Sequence, residues 1–210
     1  MYLPPAFSEN DLPTLHAAIA ATGLATLVSH GPAGLIASHV PLILAAEEGE
    51  YGTLYGHLAR ANPQAREAAF DGEALAIFQG PDAYVTPSWY ATKRETGKVV
   101  PTWNYAAIHA YGTLRFIDDA AGLRPLLEAL TTRHESRRAA PWAVDDAPAD
   151  FVAAQMKGIR GFAIPITRLE GKWKMSQNRP AADRAGVIAG LAADDRNDVA
   201  ALVEARAPKA

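Results

Sequence analysis

The residues best suited to bind an anion lie in the stretch GHLARANPQ, where Arg60 stands just before an Asn-Pro pair. Asn62 is a good N-cap residue, because its side-chain oxygen can accept from the free N–H groups of a first helical turn. Pro63 suits the first helical position, where a missing N–H costs nothing. The spacing predicts a helix that begins here, runs to about Phe70 and stops at Gly72. A cation beside such a helix start could hold a phosphate, although an ordinary capped helix next to a surface arginine fits the same residues.

A second group of polar side chains lies in the segment KMSQNR near the end of the chain. Its members are Lys174, Ser176, Gln177, Asn178 and Arg179. These donors suit phosphate, ribityl hydroxyls or ring carbonyls. They equally suit a polar strand end that caps a following helix.

Aromatic residues crowd around a charged segment in the middle of the chain. They are Tyr84, Trp89, Tyr90, Trp103 and Tyr105. A structural core would account for some of them. Because Trp and Tyr also carry polar tips, others could line a pocket for a flat ligand.

Three histidines, His39, His57 and His109, fall on predicted strands. Imidazoles on neighbouring strands could bind a metal, but no carboxylate or close second histidine stands at a suitable spacing. We therefore predict partly buried, hydrogen-bonded histidines and no metal site.

Other common catalytic signatures are missing from the sequence. There is no cysteine, so thiolate chemistry and disulfides are excluded. No G-x-S-x-G, Walker or G-x-G-x-x-G motif occurs, which argues against the commonest hydrolase, nucleoside triphosphatase and dinucleotide-binding folds.

The composition is that of a globular protein of 210 residues, with 49% hydrophobic and 20% charged residues. The net charge of -3 argues against broad electrostatic attraction to nucleic acid or anionic membranes. No apolar run approaches the ~20 residues needed to span a bilayer. The start of the chain lacks a basic region followed by an apolar core, so no signal peptide is predicted. A soluble cytoplasmic protein is expected.

Hydrophobic periodicity predicts the elements that must position these residues. Helices are expected over about 11–22, 120–134 and 148–156, and two Ala-rich helices should close the chain. Strands are expected in ATLVSH, GLIASHVPLILA, TLYGHLA, ALAIFQG, TWNYAAIHAYGTLRFI, RGFAIPITRLEG and KWKMSQ. Pro41 marks an edge or a bulge in the second of these. A tight turn at 170–172 should join the last two.

The region between the central strands reads as irregular. AYVTPSWY is broken by Pro87 and should form two short extended pieces. The charged segment ATKRETGKVV reads as a loop that could fold over a site.

Six or seven strands without regular βαβ alternation predict a closed antiparallel barrel decorated by helices. No repeat or linker is evident. We therefore expect one domain over 1–210, with a helical extension from about residue 181.

Several longer stretches carry a family resemblance. MYLPPAF, SHVPL, GHLARANPQ, GPDAYVTPSWY, VPTWNY, HE followed by Trp142, and KMSQNR occur in the order seen in the PaiB family of FMN-binding negative transcriptional regulators. The sequence resembles this family over nearly its whole length, to about Leu191. Thr86 stands where serine is expected and Met175 where leucine is usual, and neither change alters the expected fold.

The resemblance implies a split β-barrel that binds FMN, similar to pyridoxamine phosphate oxidases and flavin reductases. It also implies a homodimer with the flavin between subunits. The residues that it assigns to the cofactor are Ser38, His39, Val40, His57, Arg60, Asn62, Trp103, Asn104, Tyr105, Lys174, Gln177, Asn178 and Arg179. Among them, Arg60 and Asn62 should hold the phosphate, and the C-terminal group should reach the flavin within or across the dimer.

Three functions are consistent with this resemblance. The protein could be a regulator that acts through a protein partner, through DNA bound by that partner, or through a flavin signal. It could instead be a flavin-dependent oxidoreductase or flavin reductase, or an FMN carrier without turnover. Direct DNA binding is disfavoured, because the C-terminal segment AADDRNDVAALVEA places four acids around its turn and second helix.

Overall fold

The computed structural model describes residues 1–32, 34–66, 70 and 72–208. The helices in this part are α1 Leu12–Ala21, α2 Ala91–Thr96, α3 Ala120–Glu135, α4 Ala149–Lys157, α5 Ala181–Ala193 and α6 Asn197–Ala205. Short 3-10 helices lie at Pro5–Phe7, Pro63–Ala65, Pro87–Trp89 and Val144–Asp146. The strands are β1 Ser8–Glu9, β2 Ala25–Gly31, β3 Gly34–Val40, β4 Ile43–Ala45, β5 Thr53–Ala59, β6 Ala74–Val85, β7 Thr102–Gly112, β8 Arg115–Ile117, β9 Ile159–Pro165 and β10 Arg168–Lys174.

The described chain divides into two compact units. The first unit comprises Met1–Leu15, Gln79–Ile108 and Glu170–Ala210. The second comprises His16–Phe78 and His109–Leu169. The long strands β6 and β7 therefore each contribute residues to both units.

The first unit contains an open sheet in the order β1-β10-β7-β6. Helix α5 packs against the 3-10 helix Pro87–Trp89, and Gly186 makes this close approach possible, because a Cβ there would lie 1.9 Å from the carbonyl oxygen of Trp89. The buried carboxylate of Asp183 accepts from the amide and the hydroxyl of Thr92, both at 2.9 Å. These contacts hold α2 on α5.

The second unit contains two antiparallel sheets, in the orders β6-β2-β3 and β4-β5-β9-β8. Strands β5 and β9 pair along their full length, from Thr53 opposite Pro165 to Ala59 opposite Ile159. Helices α3 and α4 cover one side of this second sheet. Their buried residues Leu123, Val152 and Met156 form a core with Val144.

Most predicted helices are confirmed, namely α1, α3, α4 and the two C-terminal helices α5 and α6. The charged segment after Tyr90 is not a loop throughout, because its first residues form α2. This helix is capped by Gly97, which has a left-handed φ of 69°. AYVTPSWY is also more regular than predicted. Strand β6 continues to Val85, and Pro87 then begins a 3-10 helix, where its fixed φ is suited to the first position.

The prediction of a closed barrel is wrong, because the sheets are open, and the described residues form ten short and long strands instead of six or seven. Pro41 separates β3 from β4, since proline cannot donate to a ladder. The tight turn predicted at 170–172 is wrong as well. Gly171 lies inside β10, where its missing side chain makes room for Leu15, and the chain reverses at 166–167.

The helix predicted from Asn62 to about Phe70 is also wrong. Among the described residues of this stretch, Pro63–Ala65 form a 3-10 helix, and the continuous helix is interrupted at Arg66, which is extended with φ -111° and ψ 143°. Residues 67–69 and 71 lie outside the described residues. Within the part of the chain that is described, no helix is both long enough and apolar enough to cross a membrane.

Candidate functional site

In the second unit, the short turn that carries Asn62 is fastened to strands β2 and β3 by Gln64. The Gln64 side chain is completely buried, and its Nε2 donates to Leu27 O at 3.2 Å, Ser29 Oγ at 3.0 Å and Ile36 O at 3.3 Å. This amide therefore fixes the position of the whole turn.

The N–H groups of this turn are bonded within the protein. Asn62 Oδ1 accepts from the Gln64 amide at 2.9 Å, and Asn62 O accepts from the Ala65 amide at 2.9 Å. Asn62 Nδ2 donates to Ser38 Oγ at 2.9 Å. The expected cradle of unpaired helix N–H groups is therefore absent at Gln64 and Ala65, and Arg60 is left as the group that could attract a phosphate.

Arg60 lies half-exposed just beyond the end of β5, and its charge is shared. Its Nη1 lies 3.2 Å from Asp118 Oδ1, and Asp118 is also held by Arg160 Nη2 at 2.7 Å and Nε at 2.9 Å. Hydrogen bonds from Arg160, and then the charge and hydrogen bond of Arg60, hold the pKa of Asp118 below its usual value. Two guanidinium groups thus face one carboxylate, and the cluster keeps a net positive charge.

Sequence reasoning missed Asp118 and Arg160, the other two members of this charged cluster. Arg160 is well covered: its Nη1 donates to Ala65 O at 3.0 Å, and its guanidinium lies 3.8 Å from the centre of the Phe116 ring. Asp118 and Arg160 are distant from Arg60 along the chain. No spacing rule connects them before the strands β5, β8 and β9 are paired.

The three candidates on β3 point in alternating directions. Ser38 is half-buried and bonded to Asn62, and Val40 is buried opposite Ala25. His39 is exposed, with its Nδ1 3.1 Å from Thr26 Oγ1. The structure therefore brings Ser38, and not His39, to the Arg60 turn.

His57 lies on β5 opposite Gly161, in a cavity beside α3 and α4 that neither Ser38 nor Asn62 lines. Its Nδ1 is buried and has no hydrogen-bond partner in the described part of the protein. Burial lowers the pKa of His57. The structure does not bring His57 together with the other predicted residues of this unit.

In the first unit, Asn104 lies at the centre of the predicted C-terminal group. It is completely buried, and its Oδ1 accepts from Ser176 Oγ at 3.1 Å. Its Nδ2 has no partner among the described residues. Ser176 has a positive φ of 60°, a strained conformation that places its hydroxyl in the core of this group.

Lys174 lies beside this amide group on the last strand. Its Nζ donates to Thr102 Oγ1 at 2.5 Å and to Trp103 O at 2.6 Å. Burial, followed by the charges of Lys172 and Arg179, lowers the pKa of Lys174. Three cations therefore lie close enough to repel one another, which favours binding of an anion.

The remaining candidates divide into supporting and exposed residues. Gln177 uses both ends of its side chain within the turn, accepting from the Met175 amide at 2.7 Å and donating to Trp173 O at 2.6 Å. Asn178 is exposed. Gln177 therefore shapes the turn, while Asn178 is free to face solvent.

Aromatic rings accompany the cations of the first unit. Arg179 lies 4.6 Å from the centre of the Tyr90 ring, and Lys172 lies 5.1 Å from that of Tyr105. Trp103, which is 53% exposed, packs edge-to-face against Tyr84 at 5.9 Å. Lys172 was not among the predicted residues, although it lies two positions before Lys174 on the same strand.

The residues of the first unit fit a flat ligand with an anionic group. An unpartnered amide nitrogen can bond to a ring carbonyl or ring nitrogen, and the cations can bind a phosphate or negative charge on a ring. No group of three or more His, Asp or Glu side chains in the described ranges is placed to hold a metal ion.

Open antiparallel sheets with this donor set define a split-barrel protein of the flavin-binding class. A solved structure supports the fold: the FAD and heme binding protein from Mycobacterium smegmatis superposes with a TM-score of 0.57 at 19% identity, covering 80% of this chain and 73% of that chain.

Sequence comparison identifies the family. The family described as "Putative FMN-binding domain" matches residues 1–168. Bacillus subtilis protease synthase and sporulation protein PAI 2 is 30% identical over 204 residues, 97% of this chain and 95% of its own. The protein AN0679 of Emericella nidulans is 40% identical over 185 residues, 73% of this chain and 74% of its own. The chain therefore belongs to the PaiB family of FMN-binding proteins, and its cofactor is FMN.

Proposed function

We propose that this protein is a PaiB-type regulator, a cytoplasmic homodimer in which bound FMN, and not a DNA-binding surface, provides the signal. The observation that carries this proposal is Asn104 Nδ2, which has no partner among the described residues, together with the cations of the first unit. The near full-length match to a Bacillus protein named for protease synthesis and sporulation supports a regulatory role.

Each unit carries its own candidate contacts for FMN, and each set is proposed and tested separately. In the first unit, Asn104 donates to the ring, Lys174 and Arg179 provide positive charge, and Trp103 and Tyr105 provide apolar surface. In the second unit, Arg60 attracts the phosphate, while Asn62 and Ser38 hold the turn beside it. FMN supplies a ring system that accepts and releases electrons.

Positive charge near a flavin favours the reduced, more negative form of the ring. Lys174 already has a lowered pKa because its charge is partly buried beside Lys172 and Arg179. An added negative charge would relieve this repulsion. The protein should therefore bind reduced FMN more tightly than oxidised FMN, which would couple its state to cellular reductant.

The experiment is a pair of titrations with oxidised and dithionite-reduced FMN under anaerobic conditions. We expect tighter binding of reduced FMN by wild type, and a smaller difference for Lys174→Met. Equal affinities for both forms in wild type would contradict a redox signal. The matched control is Lys93→Met, which removes an exposed lysine of α2.

An FMN-dependent oxidoreductase is the second candidate function, and the exposed Tyr84–Trp103 pair favours it. These rings are 48% and 53% exposed, so they could cover a flat substrate. Bleaching of the bound flavin by NADH or NADPH, followed by reoxidation with a small acceptor, would support this function. A flavin that neither bleaches nor distinguishes its redox states would indicate a carrier without turnover.

A further inference from the structure

A cavity of about 280 Å³ in the second unit is lined by none of the residues proposed above to contact FMN. Its floor is the aliphatic core of α3 and α4, and its polar groups are His57, Thr131 and Gln155. Trp142 and Phe151 form walls and remain 48% and 55% exposed. A cavity of about 150 Å³ is enough for benzene, so this one has room for two fused rings.

The polar character of the cavity is set by His57. No lining residue is Asp, Glu, Lys or Arg among those the structure describes. Because burial lowers the pKa of His57, the imidazole is neutral at pH 7. A neutral imidazole can donate at one nitrogen and accept at the other, and here Nδ1 is buried without a partner among the described residues. An ion would lose its hydration in this cavity without gaining a counter-charge.

Trp142, which forms one wall of the cavity, is held in place by Glu135, the acidic residue of the HE motif. Glu135 Oε2 accepts from the Trp142 amide at 3.1 Å, and Glu135 Oε1 accepts from Arg138 Nε at 3.1 Å. An exposed tryptophan is thus fixed by its own backbone at the mouth of an apolar cavity. This gives the HE…W stretch a physical role that the flavin does not require.

We infer that this cavity binds a small, uncharged, planar aromatic compound with one N–H or O–H group, which bonds to His57 while its rings pack between Trp142 and Phe151. Among the described residues no cation lines the cavity to bind a phosphate, and the cavity is too small for the three-ring flavin with its side chain. The ligand is therefore distinct from FMN. Its binding does not depend on whether the flavin acts as a signal or in turnover.

Indole and benzofuran provide matched probes, because they share shape but only indole carries an N–H donor. In calorimetric titrations of the FMN-loaded protein, indole should bind about two- to tenfold more tightly than benzofuran, the effect of one net hydrogen bond. His57→Leu should remove this difference, and His30→Leu, a change at an exposed histidine of β2, should not. Trp142→Ala should weaken both probes, and indole-3-carboxylate should bind more weakly than indole.

A second measurement uses the wild-type protein, so it does not require any variant to fold. Indole should shift the imidazole ¹⁵N signals of His57 in wild type and leave the flavin absorption spectrum unchanged. Failure of indole to bind, or equal weakening of indole and benzofuran by His57→Leu, would overturn the inference. Displacement of FMN by indole would also overturn it, because the cavity would then belong to the flavin site.

Discussion

The proposed phosphate role of Arg60 can be tested by comparing FMN with riboflavin, which differ only in the phosphate. Contacts to the ring or ribityl chain cannot distinguish these ligands. Arg60→Ala should therefore weaken FMN binding and leave riboflavin binding almost unchanged. Flavin fluorescence titration measures both affinities.

The ion pair between Arg60 and Asp118 limits how much FMN affinity Arg60→Ala can remove. A charge-assisted hydrogen bond to phosphate is worth about 1.5–3 kcal/mol. Arg60 must first loosen its contact with Asp118, and both side chains are nearly half exposed, so that pair is worth only about 0.2–1 kcal/mol. The difference is about 0.5–2.8 kcal/mol, which predicts a loss of FMN affinity of about two- to hundredfold.

Asp118→Asn provides the opposite perturbation. It removes the competing negative charge, while the amide oxygen can still accept from Arg160. FMN should bind up to about fivefold more tightly to this variant, and Arg60→Ala should then cost more in the Asp118→Asn background than in wild type. The affinity for riboflavin should not change in either variant.

Two results would refute this reasoning. If Arg60→Ala weakens FMN and riboflavin equally, Arg60 supports the fold and not the phosphate. If neither ligand responds, the phosphate lies elsewhere, and Lys174 or Arg179 becomes the next residue to test by the same comparison.

Four further predictions concern assembly, partners and stability. Light scattering of the FMN-loaded protein should give twice the chain mass of 22.4 kDa, and a monomer with flavin fully bound would exclude a shared flavin groove. Gel-shift titrations in physiological salt should show weak duplex DNA binding without sequence preference, since the net charge is -3; tight specific binding by the protein alone would contradict this. Gln64→Leu should lower the urea unfolding free energy by about 1–3 kcal/mol, because it leaves buried acceptors unpaired, whereas Gln79→Leu at an exposed position should have little effect. The lowered pKa of Asp118 contributes stability that is present above about pH 3.9 and lost as the pH falls through its folded value, so stability should fall less between pH 6 and 3 in Asp118→Asn than in wild type.

Local sequence patterns predict the helices well, because their burial follows the helical repeat. In α3, Leu123, Leu126 and Leu130 recur at helical spacing and are buried as expected. Predictions that depended on one proline or glycine were less reliable. Gly171 was interpreted as a turn residue, but its role is to allow close packing of Leu15, which no local pattern reveals.

The sequence does not predict how the candidate site residues pair with one another. Asn62 was correctly predicted as an N-cap residue, although the helix predicted after it was wrong. The groups that satisfy the N–H groups of this turn and the charge of Arg60 come from distant segments and from the turn itself. A sequence shows which donors exist, but only the fold shows which of them are already occupied.

The two buried amides illustrate why occupancy matters for function. Gln64 Nε2 faces the backbone carbonyls of Leu27 and Ile36, which can only accept, so its orientation is fixed and its remaining group is an acceptor. Asn104 faces the hydroxyl of Ser176, which can donate or accept. Asn104 can therefore present either its nitrogen or its oxygen without losing that bond. A flavin ring offers both carbonyl acceptors and an N–H donor, so of the two amides we propose Asn104 as the one that adapts to the cofactor and Gln64 as the one that holds the fold.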